Sequence, residues 1–198
     1  MYSPIYAQFV RPWLTVEGGY VNDPADRGCV TNLGITLPTL QALPDGDRDG
    51  HRDGDIDRDG DVDADDIRAL RVEHQVRILY DYFWAPNRCE DLPPVVALCL
   101  FDGLLNHRPG PAKRLVQQGL GVPADGRIGP MTIAAAERCD PAQFLPEYCS
   151  YRSEFYATLV RADASQARFA RGWYRRLFLL QHYLLTHPHP LPVIGGAS

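Results

Sequence analysis

The chain has 198 residues, 45% hydrophobic and 23% charged, with a formal net charge of −5. That composition excludes a disordered or fibrous protein and fits one domain, alone or with a small appendage. No apolar run approaches the ~18 residues a membrane-spanning helix needs, and no nucleic-acid partner is expected.

The first twenty residues lack a basic start followed by an unbroken apolar stretch, so no cleaved leader and synthesis in the cytoplasm are expected. Residues 4–16 read as a short helix with Ile5, Phe9, Val10, Trp13 and Leu14 on one side, although Pro12 disfavours a helix interior. Glu17 closes it, beside Trp13, Leu14, Tyr20 and Val21. A carboxyl among apolar and aromatic groups holds its proton to higher pH, because desolvation penalises the charged form.

Residues 18–36, rich in Gly, Asp, Asn and Pro, predict irregular backbone with a small hairpin. Asp23 and Asp26 fall in a polar turn where they stay ionised, and Thr31 and Asn32 offer groups for a water or a sugar hydroxyl. A protonated carboxyl near an ionised one is the pairing that glycoside cleavage requires. A helical turn is expected at 37–43.

Residues 45–66 then hold eleven aspartates and three arginines, a local charge of −8 that leaves +3 on the rest of the chain. Within them, Asp55, Asp57, Asp59, Gly60, Asp61, Val62, Asp63 and Asp66 take positions 1, 3, 5, 6, 7, 8, 9 and 12 of an EF-hand loop. A calcium ion held by Asp55, Asp57, Asp59, Asp61 and Asp66 is expected. Ten residues earlier Asp45, Asp47, Asp49, Gly50 and Asp53 repeat the spacing. There Arg52 stands in the inward apolar position and Ile56 in place of the closing acid, so this half is expected to bind a second calcium more weakly or to share ligands.

A helix is predicted from about Asp63 to Trp84–Pro86, and another from Pro93–Pro94 to a stop at Pro109–Gly110. Helices follow at about 111–119, 130–137, 141–162 and 165–186, with a glycine-rich turn at 121–130 and a loose tail after His187. In the last helix Arg168, Arg171, Arg175 and Arg176 recur at three- and four-residue spacing. They form either a basic face for anionic envelope groups or a solvated face over a packed helix. Cys29, Cys89, Cys99, Cys139 and Cys149, odd in number and without CxxC spacing, read as free thiols in or near the core.

The run EGGYVNDPADRGCVTNLGIT at 17–36 resembles the signature of the glycoside hydrolase family 108 lysozymes, found mainly as phage and prophage endolysins. It departs from that signature at Gly28–Cys29, where a glycine pair is usual. LYDYFW (79–84) is similar to the aromatic close of the family's first region. FDGLLN (101–106) and LVQQGLGVPADGRIGPMT (115–132) resemble the peptidoglycan-binding segment that follows it, and FARGWYRR (169–176) is similar to the family's closing FxxGWxxR pattern.

The resemblance implies an all-α, lysozyme-like fold with a small hairpin and an inserted EF-hand-like loop. It implies a catalytic region at 1–92 carrying the insert 45–66, a peptidoglycan-binding-like region at 93–187 packed into the same domain, and the tail 188–198. It implies a monomeric muramidase acting on the wall outside the cytoplasm, cutting the β-1,4 bond between N-acetylmuramic acid and N-acetylglucosamine. Glu17 is then the general acid. Asp26, or its rival Asp23, is the second group, and Thr31 positions water. Tyr20, Asp23, Asn32 and Asn106 contact substrate, and Ca²⁺ is the cofactor. A lytic transglycosylase on the same bond and a non-catalytic, calcium-stabilised wall-binding module are the alternatives.

Overall fold

Proline and aspartate set most helix starts in this chain. Pro94, Pro109, Pro130 and Pro141 each occupy a first helical position, where the missing N–H costs nothing. A computed structural model describes residues 2–7, 11–14, 21–22, 30–46 and 48–187. Helix predominates in it. The chain divides into two units, residues 1–2 with 6–83 and residues 3–5 with 84–198.

In the first unit, residues 4–7 and helix α1 (Arg11–Leu14) account for the described part of the helix expected at 4–16. Trp13 and Leu14 are buried. The expected hairpin is a three-stranded antiparallel sheet of β1 (Val21–Asn22), β2 (Val30–Asn32) and β3 (Ile35–Thr36). Between β2 and β3 lies a two-residue turn in which Leu33 and Gly34 have φ of 51° and 74°. That is the mirror-image turn whose twist matches a hairpin, and glycine takes its second position without strain. Gln75 Nε2 donates to the Leu33 carbonyl at 2.5 Å and pins the turn.

Helix α2 (Leu37–Ala42) starts on Thr36, whose Oγ1 accepts from Thr39 N at 3.3 Å. Helix α3 (Ala64–Ala69) starts on Asp63 in a capping box, with Asp66 Oδ2 accepting from Asp63 N at 2.7 Å. The single helix expected from Asp63 to Trp84 is in fact broken. Leu70 leaves helical geometry (φ −56°, ψ 130°) with its side chain buried, and α4 (Val72–Leu79) starts afresh on Arg71. The break lets Ile67 and Leu70, then Val76, Ile78 and Leu79, all reach the core, which one straight helix of this sequence could not arrange. A π-helical turn, Tyr80–Trp84, follows.

In the second unit, α5 (Pro94–Asn106) is buried from Pro94 through Leu104, as a helix apolar on all sides must be. It ends at Asn106 with His107 as its cap, just ahead of the stop expected at Pro109–Gly110. The residue before a proline avoids helical geometry, so Arg108 is extended (φ −62°, ψ 151°) and Pro109 opens α6 (Pro109–Gly119). Helix α6 packs on α5 and on the 22-residue α8 (Pro141–Ala162). Between them α7 (Pro130–Arg138) follows the turn at 121–130. Gln117 knits that turn. Its Nε2 donates to Asp125 Oδ1 (2.7 Å), the Arg127 carbonyl (3.0 Å) and Thr132 Oγ1 (3.1 Å), and its Oε1 accepts from Gly126 N (2.8 Å). A 3₁₀ segment, Ala164–Phe169, leads into α9 (Ala170–Thr186). Cys89 and Cys99 are buried thiols, Cys139 and Cys149 are half-buried thiols, and Cys29 lies outside the described residues.

The core of this unit holds a charge. Asp102 of α5 is fully buried, and so is Arg152 of α8, whose Nη1 donates to Asp102 Oδ2. Arg176 of α9 donates from Nε to Asp102 Oδ1 at 2.7 Å. Arg176 therefore turns into the core, and the exposed basic face expected of the last helix loses one of its four arginines. Arg152 also donates to the hydroxyls of Tyr156 (2.8 Å) and Tyr148 (3.1 Å), and Tyr148 donates to the Cys99 carbonyl at 2.8 Å. His107 sits close by against Phe155 and Tyr156. Desolvation first, and Arg152 second, push its pKa down to about 3, so the ring is neutral at neutral pH.

Removing one partner from such a cluster leaves buried charge uncompensated, at a cost of about 3–5 kcal/mol. Asp102→Asn keeps the shape and is expected to lower the urea unfolding free energy by that amount. A loss below about 1 kcal/mol would mean that the arginines find other acceptors.

Candidate active site

Glu17, Tyr20, Asp23 and Asp26 lie outside the described residues, as does Asp47 of the insert. What the structure describes is the framework on either side of them. Asn22 pairs with Val30 and Val21 with Thr31, so the strand that begins four residues after Glu17 lies directly against the strand carrying Thr31. Thr31 also pairs with Thr36, and Asn32 with Ile35. Asp23 and Asp26 fall in the chain between the two paired strands.

Asn32 is committed to an anchor. Its Nδ2 donates to the carbonyl of Ile67 at 3.0 Å, which ties β2 to α3. Ile67 itself is fully buried. Asn106, in the second unit, is exposed, and its Nδ2 donates back along its own helix to the Asp102 carbonyl at 2.7 Å.

The acidic insert is ordered around two carboxylates. Asp55, only 7% exposed, accepts from Asp59 N on Oδ1 and from Gly60 N on Oδ2, both at 3.1 Å. Asp66, 1% exposed, accepts from Ile56 N and Asp57 N on Oδ1 and from Asp63 N on Oδ2. Gly60 has φ of +103°, a conformation that disfavours any side chain. Carboxylate oxygens of Asp55, Asp57 and Asp59 lie within 4.8 Å of one another, and so do those of Asp61, Asp63 and Asp66. Crowding shows in the acidities. Desolvation and then the charge of Asp59 raise the pKa of Asp57, while the charge of Asp59 and then desolvation raise that of Asp61.

The first half of the insert repeats the turn but not the charge pattern. Asp45 accepts from Asp49 N and Gly50 N at 3.1 Å, as Asp55 does ten residues later. Here, however, cations hold the carboxylates. Arg58 Nη2 lies 3.2 Å from Asp49 Oδ2, Arg77 Nη1 lies 3.9 Å from Asp53 Oδ1, and the Tyr82 hydroxyl donates to Asp53. The insert is then docked on the unit. A Cβ on Gly54 would meet the Leu40 carbonyl oxygen at 2.2 Å, so only glycine permits this approach to α2. Gln41 Nε2 donates to the Val62 carbonyl at 3.1 Å.

Sequence reading did not find the Asp102–Arg152–Arg176 cluster. The signal available to it was one acid inside an otherwise apolar helix, which must be paired to be buried.

A helical, lysozyme-like domain followed by a helical wall-recognition segment is the architecture of an enzyme that cleaves peptidoglycan. The chain belongs to the glycosyl hydrolase 108 family: that family's model matches residues 10–107, and the Predicted Peptidoglycan domain matches residues 111–178. The solved structure of Brucella abortus SagA is similar to it, with 27% identity and a TM-score of 0.71 over 91% of this chain and 94% of that one. No curated protein matches it. The protein is thus a glycoside hydrolase acting on peptidoglycan, a muramidase or transglycosylase, and peptidoglycan is its partner. Among the described residues no helix is long and apolar enough to cross a membrane.

Asn32→Asp tests the anchor, because the side chain keeps its shape and loses the donor. Loss of about 1–3 kcal/mol of stability is expected, the cost of leaving a part-buried acceptor unmade. Unchanged stability with lost activity would instead give Asn32 a direct contact with substrate.

Proposed function

We propose that the protein hydrolyses the β-1,4 bond between N-acetylmuramic acid and N-acetylglucosamine, as a phage-type endolysin, with Glu17 as general acid. Asp26, or Asp23 in its place, is the ionised second group, and Thr31 positions the attacking water. The strand register carries this reading. Pairing of Val21 with Thr31 brings the chain just after Glu17 to the strand that bears the threonine, with both aspartates in the segment between. A protonated acid can then face the leaving glycosidic oxygen, while an ionised carboxylate stabilises the oxocarbenium-like transition state or activates water.

Glu17→Gln is isosteric but has no proton to give. Release of soluble muropeptides from purified sacculi is expected to fall more than about a hundredfold, within the usual range for general-acid catalysis, at unchanged melting temperature. Activity within tenfold of wild type would remove the proposal. Asp26→Asn is expected to cost more than Asp23→Asn, and the reverse order would transfer the role. Mass spectrometry of the digests separates hydrolysis, which leaves reducing muramic acid ends, from transglycosylation, which leaves anhydro ends.

The cofactor in this proposal is one Ca²⁺ in the loop 55–66, held by Asp55, Asp57, Asp59, Asp61 and Asp66 with Asp63 beside them. At 45–53 a second ion would have to displace Arg58 and Arg77, so calcium binds there weakly if at all. The raised pKa values of Asp57 and Asp61 support a loop with surplus negative charge. A group whose folded pKa is raised costs stability as pH rises through its titration, and a bound cation offsets that cost.

A path leads from this loop to the candidate site. Asp66 caps α3, Ile67 follows it, and the Ile67 carbonyl holds Asn32 of β2. Calcium at ~100 times its Kd adds about 2.7 kcal/mol of stability, equivalent to roughly 5–10 °C in a domain this size. Chelation is expected to lower the melting temperature by that amount and to reduce sacculus digestion at a temperature where the protein is still folded. Asp55→Ala/Asp59→Ala should match the chelated wild type and ignore added calcium. Full activity in the chelated, folded protein would leave calcium a role in stability only.

A further inference from the structure

We infer that the exposed face of α9 is a docking surface for an anionic lipid bilayer. The helix runs Ala170–Thr186 and contains no acidic residue. Leu177, Leu180 and Leu184 face the core and are buried. On the opposite side Arg171, Arg175, Phe178, His182 and Leu185 follow one another at spacings of four, three, four and three, which keeps them on one stripe of a helix. All five are exposed. Phe178 is 63% and Leu185 71% exposed, whereas most other large apolar side chains among the described residues are covered, Met131 and Val72 apart.

The stripe is segregated along its length. Its first half is basic: Arg171 and Arg175 make no ion pair among the described residues, and Arg168, one turn earlier, lies over the Phe169 ring at 4.6 Å. Its second half is apolar, with Phe178 and Leu185 on either side of His182. Arg171, Tyr174, Arg175, Phe178 and Leu179 line an open groove of about 460 Å³ where the halves meet. Half-buried Arg176 plays no part here, because Asp102 holds it.

Charge and polarity together identify the occupant. A soluble anionic polymer would satisfy the arginines but leave Phe178 and Leu185 in water. A neutral apolar partner would cover the aromatic and leucine side chains but strand three cations. A bilayer surface rich in anionic headgroups offers phosphates at the depth of the arginines and acyl chains just below them. The expected mode is a shallow one, with Phe178 and Leu185 entering the headgroup boundary while the arginines stay among the phosphates. No transmembrane insertion is involved.

The test uses the full chain and vesicles of phosphatidylglycerol mixed with phosphatidylcholine, compared with pure phosphatidylcholine, in a co-sedimentation assay. Wild type is expected to bind the anionic vesicles only, less tightly as salt rises. Each basic charge near such a surface is worth about fivefold in partitioning, so Arg171→Glu/Arg175→Glu should bind at least ~25-fold more weakly, whereas Arg171→Lys/Arg175→Lys should retain most binding. Phe178→Ser/Leu185→Ser should also lose binding while keeping its charge. All three variants should keep the wild-type melting temperature, which separates lost docking from lost folding.

Wild type that ignores anionic vesicles overturns the inference, as does a charge-reversed variant that binds unchanged. If Phe178→Ser/Leu185→Ser binds vesicles like wild type while polyphosphate competes fully, the face is a polyanion site and not a membrane surface. If sedimentation velocity finds wild-type dimers that the same variant dissolves, and vesicles are ignored, the face joins two copies of this chain.

Discussion

A carboxylate cannot be taken out of water alone. Asp102 is fully buried in α5, a helix otherwise made of apolar residues, and the second unit is organised around meeting that demand. Arg152 reaches it from α8 and Arg176 from α9, so three helices distant in sequence converge on one side chain. Two tyrosine hydroxyls then take up further donors of Arg152, and Tyr148 passes the chain of hydrogen bonds on to the backbone of α5 at Cys99. A hydrophobic core would tolerate small slides of one helix along another. A carboxylate that must accept from two guanidinium groups at hydrogen-bonding distance tolerates far less.

The first unit achieves its order differently, with side-chain amides bound to backbone carbonyls. Asn32 holds Ile67, Gln75 holds Leu33, and Gln41 holds Val62. Each joins a short element to a neighbour that is remote in sequence. Strands of two or three residues bury little, so their placement relies on these polar ties and on the mirror-image turn at Leu33–Gly34. The strands β1 and β2, which flank Asp23 and Asp26 in sequence, belong to this framework, and Asn32 ties β2 to α3, which follows directly on the acidic loop.

Charge is distributed in blocks that do different work. The insert concentrates negative charge where backbone N–H groups and a cation can gather it. The exposed stripe of α9 concentrates positive charge next to uncovered apolar side chains. Between these extremes, Arg58 of the insert and Arg77 of α4 pair with Asp49 and Asp53 of its first half, while Arg68 pairs with Asp65, which is not at a ligand position. That leaves the second half, with six aspartates in twelve residues at the ligand positions of a calcium loop, as the part still short of positive charge.

Local signals in the sequence determined much of this architecture. Pro94, Pro130, Pro141 and Asp63 marked helix starts that the structure keeps, because capping and N-terminal proline are decided by a residue and its near neighbours. The run from Glu17 to Thr36 was legible as the family's signature, and its Gly, Asp and Asn content as a hairpin. Tertiary structure alone decided the rest. The break at Leu70 follows from where core residues must point, and a helical pattern that continues through it carries no trace of that. The exposed arginine stripe could not be separated from Arg176 by spacing, since all four arginines recur with helical period, and only the position of Asp102, seventy-four residues earlier, turns one of them inward. Pairing between groups far apart in the chain is set by how the helices pack, and no local pattern encodes it.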